Sequence, residues 1–230
     1  MQALELLEIS PPADVRFSII WLHGLGADGY DFESIAEALR LPQTRFILPH
    51  APYRKVTINN GYEMRAWYDI FSLEPGSKQD EQGIRESQAQ IEALIRQEMA
   101  RGIPSDHIVL AGFSQGGAVA LHTALRFTEK LAGVLALSTY LPLRDTAARE
   151  AAPINARIPV FMAHGQFDSV IRPDLAKNSA TCLSELGYPL TWHEYGMAHA
   201  VCQEEISDIR QFLTGILPFG VSTNPPNSVN

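Results

Sequence analysis

Apolar and β-branched residues gather into short, continuous runs at positions 16–22, 44–48, 107–112, 132–137, 159–163 and 190–195. A strand with one face in water alternates apolar with polar residues, so an unbroken run predicts a strand buried on both faces. Between the runs the spacing becomes that of an amphipathic helix. Phe32, Ile35, Ala36 and Leu39 fall at i, i+3, i+4 and i+7. Ile84, Ile91, Leu94, Ile95 and Met99 carry the same stripe along the longest predicted helix, which Gly102 and Pro104 close. Leu175, Ser179, Cys182, Leu183 and Leu186 mark a further helix ended by Gly187. Val201, Glu205, Asp208, Ile209, Phe212 and Leu213 mark a last one.

Strands alternating with helices read as βαβ units. They predict an α/β fold with a mostly parallel central sheet covered by helices on both faces, in one domain over residues 1–219. The segment 220–230 (GVSTNPPNSVN) has little to bury and is expected to form a flexible tail. Ligands of such sheets bind at the carboxyl ends of the strands, so the residues after each run are where chemistry is expected.

The run at 107–112 passes directly into a helical pattern, 115–127, with Ala118, Leu121 and Leu125 on one face. The junction reads GFSQGG, residues 112–117, which is the GxSxG nucleophile elbow of the α/β-hydrolase fold. The corner residue is forced into a strained backbone, and the flanking glycines let strand and helix approach. Ser114 is thereby presented near a helix N-terminus, whose amides favour developing negative charge. Its position between a strand and a helix makes the motif specific.

A serine nucleophile needs a base, and the base needs an acid to hold it; in this fold they follow in the order Ser, Asp or Glu, His. Seven histidines are available. His23 and His50 precede the serine, His107 starts its strand, and His122 lies on the following helix. His193 is within a strand, and His164 comes just ahead of the acid. Asp168 and His199 remain, each in the loop after a predicted strand and on the same sheet edge as Ser114. Taken singly, Asp168 is equally compatible with a turn before Pro173, and His199 with a helix N-terminus. Taken with the elbow they form a triad.

Two backbone amides are needed for the oxyanion: Gln115, after the nucleophile, and Leu25, in the turn HGLGADG at 23–29. The same turn matches GxGxxG through Gly24, Gly26 and Gly29, the dinucleotide-binding fingerprint. Against that reading, Asp28 places a carboxylate beside the pyrophosphate, and the next strand ends in LPH where an acidic ribose ligand belongs. No HExxH or paired CxxC suggests a metal.

The stretch 49–82 is long for a connection and rich in aromatics (Tyr53, Tyr62, Trp67, Tyr68, Phe71), which predicts a segment covering the site. Trp67 within it, and Leu141 after the strand at 132–137, are candidate substrate contacts. No large cap domain fits the remaining length, so an open, shallow cleft is expected.

Composition adds mainly exclusions. The net charge is −8 with no basic face, which argues against nucleic acid and anionic membranes as partners. The N-terminus is acidic and no apolar run approaches a membrane span, so a cytoplasmic location is expected. Cys182 and Cys202 suit reduced, partly buried thiols.

Several blocks together resemble the bacterial carboxylesterase and acyl-protein thioesterase (phospholipase/carboxylesterase) family. They are HGLGADG at 23–29 with Phe32, RAWYD at 65–69, GFSQGG at 112–117 with AVAL at 118–121, LSTYLP at 137–142, HG at 164–165 with Asp168, and Met197 with His199. The resemblance implies Ser114, Asp168 and His199 as the triad, oxyanion amides from Leu25 and Gln115, and hydrolysis of short- to medium-chain acyl esters or thioesters. It also implies no cofactor, and often a homodimer. Ala198 and Ala200 replace the family's usual glycine and serine beside the histidine, and Tyr30 stands where histidine is common. Acyl-protein thioesterase or lysophospholipase activity, and a non-catalytic binding module on the same fold, are the alternatives.

Overall fold

The computed structural model describes residues 3–12, 14–74 and 76–219. The tail expected at 220–230 lies outside the described residues. After a short first strand, β1 (Leu6–Ile9), the apolar runs become β2 (Phe17–Leu22), β3 (Thr44–Pro49), β6 (Ile108–Phe113), β7 (Gly133–Leu137), β8 (Val160–Gly165) and β9 (Leu190–Tyr195). These form one seven-stranded sheet in the order β1-β3-β2-β6-β7-β8-β9, parallel except for the antiparallel edge strand β1. A separate two-stranded hairpin, β4 (Tyr53–Val56) with β5 (Tyr62–Arg65), projects between β3 and the longest helix.

The reason the strands read as unbroken apolar runs is visible in their packing. Ile20, Leu110, Val134 and Met162 join one core with the helices α2 (Glu81–Ala100), α3 (Gln115–Arg126) and α5 (Pro173–Glu185) and the short α4 (Arg144–Glu150). Their immediate neighbours Ile19, Val109, Leu135 and Phe161 join a second core with α1 (Glu33–Leu39) and α6 (Gln203–Ile216). Alternate side chains point to opposite faces, and both faces are covered. Among the described residues no helix is long and apolar enough to cross a membrane.

The strand order sets the place of the site. From β2 the chain steps one way to β3 and, after α2, the other way to β6, so the ends of β2 and β6 lie side by side at a topological switch point. Leu22 pairs with Gly112 there, which brings the turn at 23–29 against the elbow.

Candidate active site

Ser114 sits at the corner between β6 and α3 with φ 54° and ψ −121°, a left-handed conformation that a side chain rarely adopts. Packing imposes it. A Cβ built on Gly112 would lie 2.4 Å from the Gly116 carbonyl, and one on Gly116 would lie 2.3 Å from the Leu22 carbonyl oxygen. Strand and helix are therefore in backbone contact, and nothing larger than glycine fits. The corner is tied to β7 as well. The Ser114 amide donates to the Leu137 carbonyl at 2.8 Å, and Thr139 Oγ1 donates to the Ser114 carbonyl at 2.6 Å.

Two further strand ends complete the constellation. β8 and β9 finish in register, Gly165 opposite Tyr195. Their loops are then laced together by Gln166 N–H to the Tyr195 carbonyl and Phe167 N–H to the Met197 carbonyl. Asp168 is 4% exposed, and its Oδ1 accepts from the amides of Val170 and Ile171, both at 2.9 Å. Its Oδ2 lies 2.7 Å from His199 Nδ1, and His199 Nε2 lies 2.9 Å from Ser114 Oγ. A carboxylate can only accept, so Nδ1 carries the proton and Nε2 presents its lone pair to the serine hydroxyl. The Phe113 ring packs against the imidazole, 4.7 Å between centroids.

The turn that carries Leu25 also meets the elbow that carries Gln115. Gln115 is the first residue of α3, where an amide has no partner within the helix. The turn holding Leu25 runs against Ser114: a Cβ on Gly24 would lie 3.4 Å from that of Ser114. Residues not anticipated from the sequence hold this turn. His23 accepts the Ala51 amide on Nε2 at 2.9 Å, so its proton is on Nδ1, which donates to the Gly24 carbonyl at 2.7 Å. Burial holds its pKa down, to about 4, and the ring stays neutral. Gly26 N–H donates to the Arg65 carbonyl, and Gly29 N–H to His50 Nδ1. The Asp28 carboxylate accepts from the Tyr30 amide at 2.9 Å, using a donor that a pyrophosphate would need. The dinucleotide reading thus has no support at this turn.

The side chain of Trp67, the candidate substrate contact, is fully buried in the α2–α3 core, and its indole N–H is spent on the His23 carbonyl at 2.9 Å. The sequence signal, an aromatic in a long loop, was that of a packing anchor. Leu141 does line a cavity, of about 730 Å³, together with Leu73, Tyr140 and Leu175. Residues 71–74 and 76–82 form one wall of this cavity, whereas Tyr53 and Tyr62 of the hairpin are exposed to solvent.

A mostly parallel sheet with a strained serine at the end of a central strand, hydrogen-bonded in sequence to a histidine and a buried aspartate, defines the class of α/β-hydrolases. The phospholipase/carboxylesterase profile matches residues 7–217, and the chain belongs to that family. It is 42% identical to acyl-protein thioesterase 1 of Neurospora crassa, over 90% of each chain. It is 41% identical to that of Yarrowia lipolytica, over 85% of this chain and 90% of the other. Among solved structures it is similar to acyl-protein thioesterase 2 of Zea mays, with 29% identity and a TM-score of 0.84 over 92% of this chain and 98% of that one. The chain is accordingly a serine hydrolase.

Proposed function

We propose that Ser114, His199 and Asp168 act as nucleophile, general base and orienting acid in the hydrolysis of acyl esters and thioesters of short to medium chain length. The observation that supports this best is the continuous run of hydrogen bonds from Asp168 Oδ2 through both nitrogens of His199 to Ser114 Oγ. His199 takes the serine proton as Oγ attacks the acyl carbonyl, and the amides of Leu25 and Gln115 receive the developing oxyanion. The imidazolium, steadied by Asp168, protonates the departing alcohol or thiol, leaving an acyl-enzyme. Water activated by the same imidazole then releases the acid and restores the serine. The acyl chain lies in the cavity flanked by Tyr140 and Leu141. Both cysteines are free and half-buried, which suits a reducing compartment, the cytoplasm.

Relatives named acyl-protein thioesterase favour a thioester as the preferred bond. Matched p-nitrophenyl esters and acyl thioesters, assayed with wild-type protein and with Ser114→Ala, test both parts. Hydrolysis that falls by about 10⁶ in kcat in the variant is expected. Comparable turnover by the variant overturns the assignment of Ser114.

A further inference from the structure

His164 faces the other side of the same carboxylate. It is the penultimate residue of β8, 1% exposed, and its Nε2 lies 2.8 Å from the Ile171 carbonyl and 3.4 Å from Asp168 Oδ2. Both neighbours are acceptors, so Nε2 carries the proton and Nδ1 the lone pair. Among the described residues Nδ1 has no hydrogen-bond partner. An apolar side chain would fill this space without stranding a nitrogen, so packing alone does not account for an imidazole here. The Nε2–H does account for it. It closes the loop 168–171 onto the strand end and turns the positive end of an N–H dipole toward Oδ2, too far for a second full hydrogen bond but well within charge–dipole range.

We infer that His164 is a positioning residue: through Nε2–H it holds the Asp168 loop and tempers the carboxylate that faces His199, thereby setting the pH at which His199 becomes available as a base. The inference rests on the reading of Ser114, Asp168 and His199 given above. Burial lowers the basicity of the His164 ring, which favours its neutral form. The other groups facing it are few. Glu194 stands opposite on β9 and is paired to Lys177 of α5 at 2.7 Å, the Trp192 ring stacks at 6.4 Å, and His199 is the second ring on the shared carboxylate. Without the N–H dipole the carboxylate attracts a proton on His199 more strongly, so the imidazolium persists to higher pH.

The test is the rate of fluorophosphonate labelling as a function of pH, which reads the free enzyme without requiring the natural substrate. Relative to wild type, His164→Leu is expected to move the acid limb up by about 0.5 unit or more. His164→Gln, whose amide nitrogen is the same number of bonds from Cβ as Nε2, is expected to restore it. Superimposable acid limbs for all three proteins overturn the inference, as does an upward shift in His164→Gln equal to that in His164→Leu. Should the leucine variant not fold, the ¹⁵N shifts of wild-type His164 decide. A neutral ring protonated on Nε2 throughout the His199 titration supports the inference, and the Nδ1–H form or a charged ring overturns it. Failure of wild-type protein to label at Ser114 would instead refute the triad itself, a separate result.

Discussion

Gln115 accepts the Trp67 amide proton on its side-chain oxygen at 2.9 Å and returns a proton from Nε2 to the Tyr68 carbonyl at 2.7 Å. The residue proposed to offer its backbone amide to the oxyanion thus grips, with its side chain, the segment that also anchors the opposite turn through the Trp67 indole and His23. Gln115→Ala leaves the backbone donor in place but strands a buried amide. A stability loss of about 1–3 kcal/mol in urea titration is expected. A larger effect is expected on catalysis, a fall in kcat of roughly 10–100-fold, because the two amides proposed to receive the oxyanion would no longer be held together. Activity within twofold of wild type would separate the clamp from catalysis.

Gly116 tolerates no side chain. A Cβ there meets the carbonyl oxygens of Leu22 and His23 at 2.3 and 2.5 Å, which belong to backbone and cannot step aside. Gly116→Ala is expected to lower stability by about 3 kcal/mol or to prevent soluble expression, and to abolish labelling in whatever folds. An unchanged unfolding midpoint would mean that α3 and β2 are not in contact as described.

Glu205, in the first turn of α6, is fully buried, and burial raises its pKa to about 8. The folded protein keeps this proton while the unfolded chain releases it above the usual carboxyl value, so stability falls as pH rises from 4.5 toward 8. Glu205→Gln, which cannot ionise, is therefore expected to be more stable than wild type at pH 7.5, by up to about 4 kcal/mol and several degrees in Tm. The gain should vanish near pH 4.5. Equal Tm values at both pH values would show that the carboxyl is not held neutral.

Acid acts through the buried imidazoles. Burial lowers the pKa of His23 to about 4 and that of His122, with a contribution from Arg126, to about 3. Unfolded histidines bind protons below pH 6.5, whereas these do not until far lower, so the stability they confer is complete above 6.5 and is lost as pH falls. Each removes up to about 1.4 kcal/mol per pH unit across that window. His122→Leu is expected to flatten the decline between pH 6.5 and 5 by up to about 2 kcal/mol in denaturant titrations. Parallel curves for variant and wild type would contradict the assignment.

The α/β alternation and the serine elbow were legible because both are local. A strand buried on two faces needs an unbroken run, and a strand turning straight into a helix needs glycines at fixed offsets from Ser114. The antiparallel strand β1 was missed because four residues at a sheet edge show too short a pattern. The β4–β5 hairpin left a usable cue, Asn60-Gly61, passed over because its flanking residues are largely exposed rather than apolar. The burial of Trp67 was not legible for a different reason: nothing in a loop sequence says whether an aromatic faces a cleft or the core. The roles of His23, His50 and His164 lie in partners 7 to 28 positions away, and elimination by chain order discards just such supporting residues.

The most direct test of the account is fluorophosphonate labelling of the folded protein, with the modified peptide mapped by mass spectrometry. Modification at Ser114 that disappears in His199→Ala and falls sharply in Asp168→Ala is predicted. Labelling at another residue, or none in a protein that is folded by circular dichroism, would contradict the assignment of Ser114 as an activated nucleophile.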